Sequence, residues 1–213
     1  MTEKTEKHIT FLRHGLSTAN HEGVVQGRKD YPLHSCGIEQ VQHLASYWAE
    51  AGRTYDQIIT SPLRRAKDTA AVIAASLSIP VIEDPVWLER NFGEGEGLRY
   101  TEIQTHLSNN LSGWSSYEPV FPNSETESDL LDRATLGVNS LLQNENRDVL
   151  IVSHGGILGA AMRSVLGIPL PLTNIRPPGF RFDNTGYSEL IYYPETSQWQ
   201  VLVHNIKPHL EHT

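Results

Sequence analysis

Apolar and polar positions along the chain alternate in blocks that switch between two periods. The run in "HITFLRHG", apolar from Ile9 and stopped by Gly15, reads as a short buried strand. Between Ser35 and Ala51, Ile38, Val41, Leu44, Ala45 and Trp48 recur at helical spacing. "YDQIITSP" is a second strand, and "SPLRRAKDTAAVIAASL" a second helix, with Ser61 as expected cap and Pro62 at the first helical position. "IPVIEDPVWLE" offers a third strand with a proline break. From Gly93 to Pro122 the periodicity fades into Gly, Ser, Asn and Pro, which predicts an excursion or lid over about 94–123. "SETESDLLDRATLGVNSLL" returns to helix, with Ser124 and Glu127 at capping-box spacing.

The next unit is the cleanest. "DVLIVSHGG" is a continuous apolar strand broken at a histidine, and "ILGAAMRSVLG" a helix closed by Gly167. "GYSELIYYPETSQWQVLVHNI" predicts an antiparallel hairpin, and "HLEHT" a frayed tail. Strands alternating with helices predict an α/β fold: a three-layer α/β/α sandwich with a mostly parallel sheet and an antiparallel edge. No repeat or linker divides residues 1–213, so one domain is expected.

Active residues of such sheets gather outside the carboxyl ends of the strands. Three predicted strand ends carry chemistry: Arg13 and His14 after the first, Ser61 to Arg65 after the second, His154 with two glycines after the fourth. Each also has a bland reading, as solvated loop or tight turn.

Composition narrows the partners. A chain of 213 residues with 38% hydrophobic and 20% charged residues has the balance of a globular protein, and no apolar run approaches membrane-span length. The charged start "MTEKTEKHIT" lacks the apolar core of a signal peptide, so a cytoplasmic location is expected. The formal net charge of -8 argues against nucleic acid or anionic membrane as partner. A small anionic substrate would need local positive charge, which makes clustered Arg and His informative. The single cysteine, Cys36, excludes an internal disulfide, and the 10 histidines show no zincin spacing, so no metal is expected.

Taken in order, the motifs resemble those of the histidine phosphatase superfamily, also called phosphoglycerate mutase-like. "RHGLSTAN" resembles its Arg-His-Gly signature, "QGRKDYPLHSCGIEQ" its Gly, Asp, Pro-Leu, Gly and Gln pattern, and "SPLRRAKDTA" its Ser-Pro-Leu-x-Arg-Ala motif. "LERNFGEGEG", "PNSETESD", "VSHGG" and "NTGYSEL" resemble four further blocks. Several motifs in order, each in a fitting structural context, are far more specific than one.

The resemblance implies His14 as nucleophile, forming a phosphohistidine that splits one displacement into two. Its other ring nitrogen would then need a partner, such as a backbone carbonyl, to fix the tautomer. Phosphoryl transfer spreads charge over equatorial oxygens, so a positive cradle is required. Arg13, Arg65 and a protonated His154 would supply it, with Asn20 as a further phosphate contact. Ser17 and Gly155 are candidate substrate contacts, and Arg64 is left solvated or ion-paired. Glu89, four residues before Gly93, matches the general acid that protonates the leaving oxygen and then activates water. Leu16 and Gly95 depart from the family pattern, where Glu or Gln and Trp are usual; loss of the aromatic suggests a wider mouth.

Hydrolysis of a small phosphorylated metabolite, without cofactor, is the expected activity. A mutase would need cations on the lid for a second phosphate, and between Gly93 and Arg133 only Arg99 and His106 are basic. A cofactor-dependent phosphoglycerate mutase, a phosphoprotein phosphatase and a non-catalytic binding protein are the alternatives. Specificity is expected in the segment around Trp114, Tyr117 and Phe121; the substrate and the choice between monomer and dimer stay open.

Overall fold

The computed structural model describes residues 6–109, 115–172 and 177–211. Six strands form one sheet: β1 (Lys7–Arg13), β2 (Gln57–Thr60), β3 (Val81–Glu83), β4 (Asp148–Ser153), β5 (Tyr187–Tyr193) and β6 (Gln198–Ile206). Their spatial order is β3-β2-β4-β1-β5-β6. The first four run parallel, and β5 and β6 add an antiparallel edge. The longer helices are α2 (Ser35–Glu50), α3 (Arg64–Leu77), α4 (Tyr100–Asn109), α5 (Glu127–Gln143) and α6 (Gly155–Val165), and the short α1 (Thr18–Glu22) follows β1.

Because side chains alternate across a strand, one sheet builds two cores. Ile9, Phe11, Val149, Ile151 and Ile59 point to one face, where they pack on α5 and α6 through Leu130, Val138, Leu158 and Met162. Leu12, Ile58, Leu150 and Val152 point to the other and meet α2 and α3 through Val41, Leu44, Trp48, Ala66 and Ile73. The expected three layers follow from that alternation. A third, small cluster of Val25, Ile103 and Phe121 holds the 94–123 segment. That segment contains α4, which the fading periodicity concealed; Trp114 lies outside the described residues.

Three local expectations need correction. Helix α3 starts at Arg64, with Leu63 at the cap position and no side-chain cap bond. Asp30, from a distant loop, accepts the Arg64 N–H at 2.7 Å, leaving Ser61 for other use. The capping box of α5 is Thr126 with Asp129, two residues after the predicted pair, because Thr126 has the extended backbone that a cap requires. The C-terminal stretch is not frayed over residues 208–211: Pro208–Leu210 form a 3-10 turn that buries His209, whose Nε2 donates to Thr185 Oγ1 at 2.9 Å.

Candidate active site

The register of two neighbouring strands creates the site. Arg13 pairs with Ser153 across β1 and β4, so the next residue on each strand, His14 and His154, must meet beyond the sheet. The His14 N–H donates to Ser153 O at 2.9 Å, and the two rings sit edge to face with centroids 5.1 Å apart. Strand β2 lies on the other side of β4 and delivers Ser61 and the first turn of α3 to the same place.

His14 is buried, and its Nδ1 donates to Gly15 O at 2.7 Å. This bond fixes the tautomer as expected and leaves Nε2 carrying a lone pair, with no partner among the described residues. Burial, then Arg65 and Arg13, hold the ring well below the ordinary histidine range, so it is neutral at pH 7. The loop that carries it is tied down on several sides. Asn184 Nδ2 donates to His14 O and Gly15 O at 3.0 and 3.2 Å, and Thr69 Oγ1 accepts from Gly15 N at 3.1 Å. Gly15 has no room for a side chain, since a Cβ would lie 2.6 Å from Gly37 O at the start of α2.

Arg65 is 1% exposed, and its guanidinium is spread over three acceptors. Nε donates to His154 Nδ1 at 3.2 Å, and the two terminal nitrogens to Lys29 O and Gly27 O at 2.9 and 2.8 Å. Burial lowers its pKa to about 10, which still leaves it charged at neutral pH. Arg13 Nη1 donates to Phe182 O at 2.7 Å and Nη2 to Asn20 Oδ1 at 3.3 Å. Its Nε is buried with no hydrogen-bond partner, a donor aimed where an acceptor is wanted.

His154 sits between Arg65 and Ser61. Arginine can only donate, so Nδ1 facing Arg65 Nε must accept, and the ring proton lies on Nε2, 2.8 Å from Ser61 Oγ. Burial and the charge of Arg65 push this ring too well below its usual range. The ring is therefore neutral in this arrangement, and the protonated form expected from the sequence depends on a phosphate raising its proton affinity.

Glu89 stands over the N-terminus of α6. Oε2 accepts from Gly156 N at 3.1 Å, and Oε1 from Ile157 N and Arg90 N at 3.2 and 2.7 Å. Those free amides are the positive end of the helix, and a carboxylate suits them. Gly156 is required here, because a Cβ would lie 2.4 Å from Glu89 Oε1. Gly155 lies beside Arg13, with 3.8 Å between a built Cβ and Nε.

Asn20 joins the cluster through Arg13, Asn184 and Tyr100. Ser17 does not. It is fully buried, its hydroxyl donates to Gln26 Oε1 at 2.9 Å and accepts from Asn20 N at 3.1 Å, so it serves as the α1 cap instead of a substrate contact. Arg64 is exposed and ion-pairs with Asp68. The mouth is not widened at Gly95: the Phe121 ring fills that space, only 2.7 Å from where a Cβ would stand.

Sequence reasoning left several participants unassigned. Asn184 and Ser61 stand inside the recognised motifs, so their spacing was available as a signal. Arg133 carried none. It accepts no proton role but donates to the carbonyls of Val86, Leu88 and Glu89 while pairing through Nε and Nη2 with Glu125, which fixes the segment bearing Glu89. Among the described residues no cluster of three or more His, Cys, Asp or Glu could hold a metal ion, and no helix is long and apolar enough to cross a membrane.

Two histidines, two arginines and a carboxylate thus meet at the carboxyl edge of the mostly parallel sheet of an α/β protein. The profile of the histidine phosphatase superfamily (branch 1) matches residues 9–207, and the chain belongs to that family. It is 30% identical to the uncharacterized phosphatase PhoE of Bacillus subtilis, over 95% of this chain and 96% of that one. It is 28% identical to a glucosyl-3-phosphoglycerate phosphatase of Mycolicibacterium vanbaalenii, over 77% and 76% of the two chains. The phosphoserine phosphatase of Entamoeba histolytica, solved with 3-phosphoglyceric acid, superposes with a TM-score of 0.78 at 25% identity, covering 95% of this chain and 98% of that one.

Proposed function

We propose that the chain is a metal-independent phosphomonoesterase that acts on a small phosphorylated metabolite through a phosphohistidine on His14. The observation that carries this reading is the His14 Nδ1 bond to Gly15 O at 2.7 Å in a ring kept neutral by burial and by two arginines. A neutral ring with its lone pair on Nε2 is the form that can attack phosphorus. In the first step the Nε2–P bond forms as the P–O ester bond breaks, and the proton that a monoester monoanion brings into the site passes by way of Glu89 to the leaving oxygen. In the second, Glu89 takes a proton from water, whose oxygen displaces His14 and releases phosphate. Arg13, Arg65 and Asn20 hold the equatorial oxygens, and the unpartnered Arg13 Nε supports that assignment. His154 offers its Nε2–H to the same oxygens by turning from Ser61, and gains proton affinity from the phosphate dianion.

The test is phosphate release from a panel of phosphomonoesters with chelator present, 3-phosphoglycerate plus its bisphosphate primer included. Turnover insensitive to chelator, an acid-labile phosphoenzyme and a loss of at least about a thousandfold in His14→Ala are expected. Full turnover by His14→Ala rejects the nucleophile, and isomerisation outpacing release replaces the phosphatase reading with the mutase.

A further inference from the structure

We propose that Arg28 is a specificity-determining residue that reads a carboxylate on the leaving group. The inference rests on the hydrolytic reading above. Residue 28 is bound to the site from both sides: Arg65 holds the carbonyls of Gly27 and Lys29, its two chain neighbours, and the Arg28 N–H donates to Glu96 Oε1 at 2.8 Å. Its backbone is thus locked to the phosphate cradle. Its side chain runs the other way, with Nε 3.4 Å from Glu89 O, the carbonyl of the residue assigned as general acid.

A general acid stands beside the leaving oxygen, so whatever that oxygen carries must extend past Glu89. The Arg28 guanidinium lies against the backbone carbonyl of Glu89, and on this proposal the leaving group's far end comes within its reach. Its Nη2 forms a long ion pair with Glu125 Oε1 at 3.7 Å, and Nη1 has no hydrogen-bond partner among the described residues. Glu125 is already taken by two bonds from Arg133 at 2.8 Å each. The Arg28 side chain is 39% exposed, which leaves its terminal N–H fork open to a ligand.

Charge selects the ligand. A planar fork matches a carboxylate in bidentate geometry. A second phosphate dianion would need more positive charge than one arginine, and the neighbouring Lys29 ammonium is held to Glu96 O at 2.6 Å by one of its three N–H groups. The Glu96 and Glu125 carboxylates close by would oppose a doubly charged group. A single negative charge close to the ester, as in a phosphorylated hydroxy acid or hydroxy amino acid, fits best.

Steady-state kinetics on matched pairs tests this: 3-phosphoglycerate against glycerol 3-phosphate, and phosphoserine against phosphoethanolamine. The wild type is expected to prefer the carboxylate member of each pair. Arg28→Gln should raise KM for those members about tenfold or more and collapse the preference, while Arg28→Lys recovers part of it. An equal loss on all four substrates overturns the proposal, because Arg28 then acts as a strut for Glu89. An unchanged preference overturns it as well. Calorimetric binding of 3-phosphoglycerate and glycerol 3-phosphate to His14→Ala, with and without Arg28→Gln, needs no turnover. A preference there that vanishes with Arg28 upholds the carboxylate assignment even if hydrolysis fails, and its absence beside normal hydrolysis rejects this assignment alone.

Discussion

A histidine can act as a nucleophile only when one of its nitrogens is spoken for, and for His14, the proposed nucleophile, a backbone carbonyl holds Nδ1. The same economy governs Glu89, whose carboxylate approaches α6 only because residue 156 lacks a side chain. Gly156→Ala should displace it. For a substrate with an alkoxide leaving group, kcat is expected to fall about a hundredfold, since proton donation is then essential. For p-nitrophenyl phosphate, whose phenolate leaves readily unprotonated, the fall should stay within about tenfold. Equal losses on both would show that the alanine disturbs more than the acid.

Among elements, the segment between β3 and α4 depends on contacts with α5. Trp87 is buried against Phe11 and leans on Gly137, where a Cβ would come within 3.0 Å of its ring. Ser153 at the end of β4 donates to Trp87 O at 2.6 Å, so the tryptophan links the sheet to the segment carrying Glu89. Gly137→Val should force the indole aside and lower stability by about 1–3 kcal/mol, read as a reduced urea midpoint. Arg133→Met keeps much of the side-chain volume but removes the donors to three carbonyls and leaves the Glu125 carboxylate only Asn91 N and the distant Arg28 guanidinium. A loss of about 2–4 kcal/mol is expected, with kcat falling in parallel because Glu89 loses its anchor. A normal kcat in a folded Arg133→Met protein would detach this ion pair from the site.

Across the whole molecule, burial of histidines sets a pH dependence. His14 and His154 lie well below the ordinary range, and burial holds His209 at about 4. On acidification the unfolded chain protonates these rings near pH 6.5, before the folded one does, so it binds more protons. Their contribution to stability is therefore complete above about pH 6.5 and is lost as pH falls toward 4. Urea midpoints should decline steadily through that window. A flat profile would mean that the rings are more solvated than their burial implies. His209→Phe, which removes one of the titrating groups, should flatten the decline. It should also loosen the nucleophile loop, because Thr185, which accepts from His209, donates its own N–H to the carbonyls of Arg13 and His14.

How far the chain could be read in advance follows from the range of the interactions involved. Strand alternation, the helical spacing of α2 and the glycine after "SH" are properties of neighbours in sequence, so three layers and the strand-end candidates His14, Arg65 and His154 were legible, whereas Glu89 was named only through the family resemblance. The caps of α3 and α5 were misplaced, and α4 was missed. Asp30 caps α3 across 34 residues, and α4 packs on Val25 and Phe121 from distant segments, so no local pattern announces either. The same holds for the tautomer of His154, which Arg65 sets from 89 residues away, and for Ser17, whose hydroxyl is claimed by Gln26. By itself the sequence determined which chemical groups exist and which element each one ends, because periodicity and turn chemistry act over a few residues. Tertiary structure alone decided which donors remain free once the chain has closed on itself, because every hydrogen bond to a distant partner removes one from the set available to a substrate.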